Sequence, residues 1–127
     1  MANSELIIIR GLPGSGKSTR AKSEYPDYLH YEPDHLFCDT AGRYRFDAQI
    51  WDKAVEWVLI MTDFALARGE NVVVSDVFAK KESFKRFVEI AEAHGSVVKV
   101  IVTDGQYENT HRIPVTILSA MRDSFEK

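Results

Sequence analysis

One stretch near the start constrains this chain more than any other. It reads Leu6-Ile7-Ile8-Ile9-Arg10-Gly11-Leu12-Pro13-Gly14-Ser15-Gly16-Lys17-Ser18-Thr19: an apolar run of strand character, a glycine-rich turn, then a helix-compatible segment opening at Lys17. Gly11, four further residues and Gly16-Lys17-Ser18 make the full phosphate-binding-loop spacing, in the strand–loop–helix setting that the spacing requires. Glycine at these positions lets the backbone turn tightly and approach an anion closely. Successive N–H groups then converge as a cradle, and the following helix adds its dipole. Lys17 is positioned to reach β- and γ-phosphates, and the Ser18 hydroxyl to ligate Mg2+. A plain strand-to-helix turn is the alternative. With each fixed residue at background frequency, however, the spacing arises by chance in roughly one chain of this length in a few hundred. Nucleoside triphosphate binding is the expectation.

Composition bounds the remainder. With 127 residues, 45% of them hydrophobic and 28% charged, the chain is expected to form one domain over 1–127 with its own core. A net charge of −3 gives no broad electrostatic footprint for duplex nucleic acid, while leaving room for a local basic patch. The single cysteine, Cys38, has no internal disulfide partner, which suits a reducing compartment. No apolar run reaches membrane-spanning length, and Met1-Ala2-Asn3-Ser4-Glu5 lacks the basic start of a secretory signal. A cytoplasmic protein with no membrane association is expected.

Beyond the loop, strand and helix signals alternate. A helix from Lys17 to about Tyr25 is stopped by Pro26, and Tyr28 to Tyr31 reads as a short second strand. Asp47 is a good N-cap for the longest helix, expected over Ala48 to Arg68 and closed by Gly69. Ile50, Ala54, Trp57, Val58, Met61 and Ala65 form one apolar stripe on it; Trp51, Val55, Leu59 and Leu66 form a second, so much of its circumference should be covered. Val72-Val73-Val74, closing at Ser75-Asp76, is the β-branched run of a central parallel strand. An amphipathic helix over Lys80 to His94 and a strand over Val97 to Val102 follow, with Lys99 marking a wet face or edge. Thr103 to Ile113 is polar and irregular, and Pro114 opens a last helix. This alternation predicts an α/β fold: a doubly wound, three-layer αβα phosphate-loop domain with a mostly parallel sheet of about four strands.

Several residues carry chemistry in such a frame. Asp76 ends a hydrophobic strand, where a carboxylate holds Mg2+ directly or through water; otherwise it caps the next turn. Asp34 follows the second strand, on the loop's side of the sheet, and suits orienting and deprotonating an acceptor hydroxyl; the other reading is a turn aspartate after Pro33. His35 is an alternative for that role. Arg112, in Asn109-Thr110-His111-Arg112, fits a lid arginine that neutralises charge on a transferred phosphoryl group, or a solvated loop side chain. Arg10 lies near the nucleotide in sequence or pairs with a carboxylate. Arg43-Tyr44-Arg45-Phe46 interleaves cations and rings, which suits stacking on a base beside a phosphate contact, against the reading of a solvated surface.

With these residues in hand, the chain resembles the phage-type polynucleotide 5′-hydroxyl kinase group of the phosphate-loop kinases, and within it a small ATP-binding, kinase-like subgroup. The segments that carry the resemblance are the phosphate loop, Tyr31-Glu32-Pro33-Asp34-His35-Leu36-Phe37, Gly42-Arg43-Tyr44-Arg45-Phe46-Asp47, Val72-Val73-Val74-Ser75-Asp76 and Asn109-Thr110-His111-Arg112-Ile113-Pro114. The resemblance implies ATP phosphates on Gly14, Ser15, Gly16, Lys17 and Ser18, within a contact set that takes in Gly11, Pro13 and Thr19. It implies the acceptor-activating base at Asp34, Mg2+ at Ser18 and Asp76, and catalytic roles for Lys17 and the lid arginine Arg112. Two departures stand out: Phe37 where those kinases carry an arginine for the acceptor's phosphate, and Val77-Phe78 where a polar pair is usual. The implied activity is ATP- and Mg2+-dependent transfer of the γ-phosphoryl group to a hydroxyl, on a single-stranded nucleic-acid 5′ end or a nucleotide-like molecule. Two further readings stay open. One is an ATP-hydrolysing switch acting on a partner protein through aromatic surface at Phe37 and Phe78; the other is a kinase of small molecules.

Overall fold

The β-branched runs pair into one sheet because their backbones leave no polar group unmet only when each lies beside another strand. The computed structural model describes residues 4–12, 14–37, 41, 47–78, 80–103 and 125. Strands β1 (Glu5–Gly11), β2 (Leu29–Tyr31), β3 (Val72–Asp76) and β4 (Val97–Thr103) alternate with helices α1 (Lys17–Glu24), α2 (Trp51–Ala67) and α3 (Lys85–Ala93). Strand order is β2-β3-β1-β4, and every pair is parallel. The two central strands are those with continuous apolar runs, and Leu6, Ile7, Ile8, Ile9, Val72, Val73 and Val74 are all fully buried.

Strand geometry sends alternate side chains to opposite faces, and each face has its own helices. Leu6, Ile8, Val72 and Val74 pack with Val58, Leu59, Ala65 and Leu66 of α2 and with Phe87 and Ala91 of α3. Ile7, Ile9 and Val73 pack with Ala21 of α1, flanked by Tyr25, Tyr28 and Ile101. Three layers result, as the alternation predicted. Register then brings the strand ends together: Arg10 is level with Asp76, and Gly11 with Thr103. The C-terminal ends of these strands gather at that edge, where ligands of open α/β sheets bind.

Several boundaries differ from expectation. The long helix starts at Trp51, after a 3-10 turn (Ala48–Ile50) whose N-cap Asp47 accepts from the Gln49 N–H at 2.9 Å. A 3-10 turn over Lys81–Phe84 likewise precedes α3, and α1 ends at Glu24 with Tyr25 as its C-cap. The two apolar stripes of α2 are covered as expected, Ala54, Val58, Leu59, Ala65 and Leu66 being buried and Trp51, Val55, Trp57 and Met61 half-buried, while Ile60 and Phe64 on the remaining face are 57% and 67% exposed. An outer-layer helix has the sheet on one side only, and among the described residues nothing covers this remaining face. Lys99 does mark an edge strand, and its ammonium meets Glu5 Oε1 at 3.2 Å. Cys38, residues 42–46 and the helix expected from Pro114 lie outside the described residues. Among those described, no helix is long and apolar enough to cross a membrane.

Phe87 joins α3 to the sheet core at 2% exposure. Phe87→Ala is expected to cost about 3–5 kcal/mol in urea unfolding, whereas Phe64→Ala on the open side of α2 changes it by less than about 0.5 kcal/mol. Equal costs at the two positions would contradict this division of the core.

Candidate functional site

The loop between β1 and α1 is shaped by two demands on its glycines. Gly16 is the N-cap of α1 with φ 94°, a left-handed conformation that strains any residue bearing a Cβ. Gly11 is required by close approach instead. A Cβ there would lie 2.1 Å from Thr103 Oγ1 and 2.3 Å from Ser15 Oγ. Those hydroxyls are 2.7 Å apart, and Thr103 Oγ1 also donates to the Arg10 carbonyl at 3.2 Å. The loop is therefore pinned to the end of β4. Its Ser15 N–H closes a turn on the Leu12 carbonyl at 3.0 Å. Thr19 is exposed on the first turn of α1. Pro13 and Arg112 lie outside the described residues.

Lys17, first residue of α1, folds back over this turn, donating to the carbonyls of Gly11 at 2.9 Å and Leu12 at 3.1 Å. Burial lowers its pKa, while the charges of Asp76, Glu32 and Asp34 oppose that shift. Three carboxylates from two strand ends thus lie close enough for their charge to be felt at one ammonium, whose direct bonds are to the two carbonyls. Asp34 is half-buried in the 3-10 turn Pro33–Phe37 that follows β2. Asp76, last residue of β3, accepts from the Val77 N–H at 2.8 Å, so it does cap the following turn; it also stands in the same field of charges. Burial pushes its carboxyl up to about 7, the Val77 bond and Lys17 opposing, Asp34 and Glu32 adding.

Glu32 is the member that the sequence reading did not single out, and it sits at the middle of the network. Its Oε2 accepts from Ser18 Oγ at 3.1 Å and from Ser75 Oγ at 2.7 Å. His30 Nε2 lies 2.7 Å from Ser75 Oγ. Burial works against the Glu32 charge, but contacts with His30 and Ser75 and the nearby His35 outweigh it and bring the carboxyl down to about 2. Ser75 is itself 1% exposed. A serine inside a valine run and a glutamate two residues before Asp34 were the available signals. Thr103, the partner of the loop serine, had none.

Three residues read differently in place. Arg10 is buried; its Nε donates to the Phe78 carbonyl at 3.0 Å, and its guanidinium lies over the rings of Phe84 and Phe125 at 5.0 and 4.7 Å. Phe78 has φ 46°, a strained value for a side-chain-bearing residue, and its ring packs edge-on against Phe84 and Phe87. Phe37 stacks on Trp51 with ring centroids 5.8 Å apart. Phe37 and Phe78 are only 3% and 7% exposed, so the aromatic surface expected there is interior.

The donor set also bears on a metal. The Ser18 hydroxyl and the Asp76 and Glu32 carboxylates are hard oxygen donors grouped beside the loop, and Ser18 already donates to one of them. Mg2+ takes such donors, and the residues present fit it.

A family model described as AAA domain matches residues 6–112. Among solved structures, a chain of the Pnkp1/Rnl/Hen1 RNA repair complex is 20% identical, with a TM-score of 0.68 over 97% of this chain and 38% of that one. A gluconokinase from Sinorhizobium meliloti 1021 is 24% identical, with a TM-score of 0.56 over 98% of this chain and 75% of that one. The AvrRxo1-ORF1:-ORF2 complex with ATP gives 17% identity and a TM-score of 0.66 over 98% of this chain and 48% of that one. These are likenesses of fold. This chain spans 38–39% of the length of the RNA-repair-complex chains.

Opposite shifts at two carboxylates make a paired test. Folded Asp76 keeps its proton up to about pH 7, against an ordinary value of 3.8, so its charge opposes folding above pH 7 and less so as the pH falls toward 4. Asp76→Asn, which retains an oxygen for Val77, is expected to raise Tm at pH 8 without divalent cations, the gain shrinking between pH 7 and 4. Glu32 has the other sign: its charge favours folding above its ordinary 4.5, and that support is lost as pH falls toward 2. Glu32→Gln should therefore lower Tm at pH 6 and less so at pH 3. Matching signs for the two variants in differential scanning calorimetry would contradict the assignment.

Proposed function

The chain belongs to the AAA-domain family matched over residues 6–112, and on that premise we propose that it is an ATP- and Mg2+-dependent kinase acting on a hydroxyl. The observation that carries this reading is the half-buried Lys17 ammonium on the phosphate loop, with Asp34, Glu32 and Asp76 around it. A loop of this kind with no carboxylate beside it would bind a nucleotide and do little more. One with an aspartate close to the lysine has a group to receive the acceptor's proton.

In this reading the triphosphate lies on the main-chain amides from Gly14 to Ser18 and on the N-terminus of α1. Lys17 exchanges the Gly11 and Leu12 carbonyls for phosphate oxygens. Ser18 and Asp76 would hold Mg2+, which would supply charge neutralisation on the phosphates. The acceptor oxygen bonds to the γ-phosphorus, the bond from that phosphorus to the β–γ bridging oxygen breaks, and ADP leaves with its electron pair. Asp34 takes the hydroxyl proton. Arg112 serves as a lid arginine.

The acceptor we propose is a nucleic-acid 5′ end or a nucleotide-like molecule. The order of matched segments supports it, as does the fold shared with a chain of an RNA repair complex. A small hydroxyl compound is the second reading. It is favoured by Phe37, which stacks on Trp51 where an arginine would grip an acceptor phosphate. The partner-protein switch loses its motive, because Phe37 and Phe78 are buried.

Incubation with γ-labelled ATP and a panel of RNA ends, DNA ends and small hydroxyl compounds tests the class of reaction. Label in an acceptor is expected; label only in free phosphate contradicts the kinase. Asp34→Ala should lower the transfer rate by roughly 10²–10⁴-fold with ATP affinity unchanged. Transfer at the wild-type rate would remove the base assignment. Lys17→Ala should abolish transfer while leaving Tm within a few degrees, and near-normal turnover would remove its role.

A further inference from the structure

The end of β2 brings two imidazoles that the proposed phosphoryl transfer does not use to Glu32, a carboxylate shared with the phosphate loop. His30 and Glu32 are two residues apart along an extended backbone, which sends both to the same face. His35 follows three residues after Glu32 in the 3-10 turn Pro33–Phe37, where positions i and i+3 eclipse. Chain geometry alone therefore stacks two imidazoles and a carboxylate on one side. His30 Nε2 is 3.3 Å from Glu32 Oε2, and His35 Nε2 is 3.5 Å from Glu32 Oε1. One ligand atom from each of the three residues lies within 4.8 Å of the others.

We infer that His30, Glu32 and His35 form a binding site for a divalent transition-metal ion of the Zn2+ class, adjoining the phosphate loop. A hydrogen-bonded cluster is the competing account, and Ser75 does bridge His30 Nε2 and Glu32 Oε2 at 2.7 Å each, but two features of the direct histidine–glutamate geometry point to an ion. Both histidine–glutamate separations exceed the usual 2.7–3.2 Å of an N–H···O bond. They match instead the roughly 3.0–3.6 Å between donors that share one ion at bonds of about 2.0–2.2 Å. The same nitrogen, Nε2, is presented by both rings, one to each oxygen of the carboxylate.

The donor types select the ion. Two imidazole nitrogens with one carboxylate suit Zn2+, Co2+ or Ni2+, whereas Mg2+ prefers an all-oxygen shell. Three protein ligands leave a position open to water or to an oxygen of a bound molecule. His30 and Glu32 side chains are 18% and 14% exposed and His35 is 41% exposed, so the ion has an entry path from the His35 side. His30 would carry its ring proton on Nδ1, freeing Nε2 from the Ser75 hydroxyl for the metal. Ser75 keeps its donation to Glu32 Oε2, the oxygen that Ser18 also uses. An ion drawing on that carboxylate would weaken its hold on the Ser18 hydroxyl. The metal site and the phosphate loop thereby share one glutamate.

Binding is read directly, without activity. The metal-stripped full chain is titrated with Co2+, whose visible absorption reports nitrogen ligation, and with Zn2+ by calorimetry, both in millimolar Mg2+ and without nucleotide. One ion per chain is expected, with Zn2+ displacing Co2+ and Mg2+ displacing neither. His35→Ala changes an exposed side chain and should fold, as circular dichroism checks. It is expected to weaken Zn2+ binding by at least about 10-fold, and His30→Gln likewise. No stoichiometric binding would overturn the proposal. So would wild-type affinity in both variants, or displacement of Co2+ by Mg2+.

Discussion

An ammonium held half-dry among three carboxylates is the interaction that this structure is arranged to sustain. Lys17 loses solvation where it sits, which lowers its pKa, and the charges of Asp76, Glu32 and Asp34 oppose that shift. None of the four groups is adjacent in sequence to another. They meet because parallel strands finish at the same edge. β1 ends in the loop, β2 leads through Glu32 to Asp34, and β3 finishes on Asp76. β4 adds Thr103, which braces the loop through Ser15. An antiparallel arrangement would send alternate strand ends to opposite sides of the molecule, and the cluster could not form.

The two most perturbed carboxyls of the cluster are pushed apart, Glu32 down to about 2 and Asp76 up to about 7. Both are half-buried, so the difference comes from partners. Glu32 has hydroxyls and imidazoles around it; Asp76 has one main-chain N–H and two neighbouring negative charges. Groups whose environments separate them in this way divide into different roles. The Asp76 charge works against stability while the Glu32 charge supports it. Phe78 carries local strain beside Asp76, with φ 46° and its carbonyl tied to buried Arg10. That fixes the turn leaving Asp76.

The layer architecture was legible because its causes are local. A tripeptide of valines bounded by polar residues needs both faces covered, and glycine-rich spacing before Lys17 has few other uses. The placement of Lys17, Ser18, Asp34 and Asp76 at one edge of the sheet was legible for the same reason: each lies at or after the end of a strand signal. Glu32, Ser75 and Thr103 were not. Their importance arises from pairings across 43 residues for Ser75 with Glu32 and 88 for Ser15 with Thr103, which no spacing rule encodes. Phe37 and Phe78 were read as surface because they replace polar residues, yet each found an aromatic neighbour and turned inward. Helix starts shifted for a smaller reason. A 3-10 turn satisfies the first amides before α2 and α3, and its sequence resembles that of the helix it precedes.

Above all, the proposed chemistry requires a nucleotide held by its phosphates, through main-chain amides and Lys17. Calorimetric titration of the wild-type chain with ATP in Mg2+, set against adenosine under the same conditions, measures that grip directly. One ATP per chain with adenosine bound far more weakly is the predicted result. Adenosine binding as tightly as ATP, or no association with ATP at all, would contradict it.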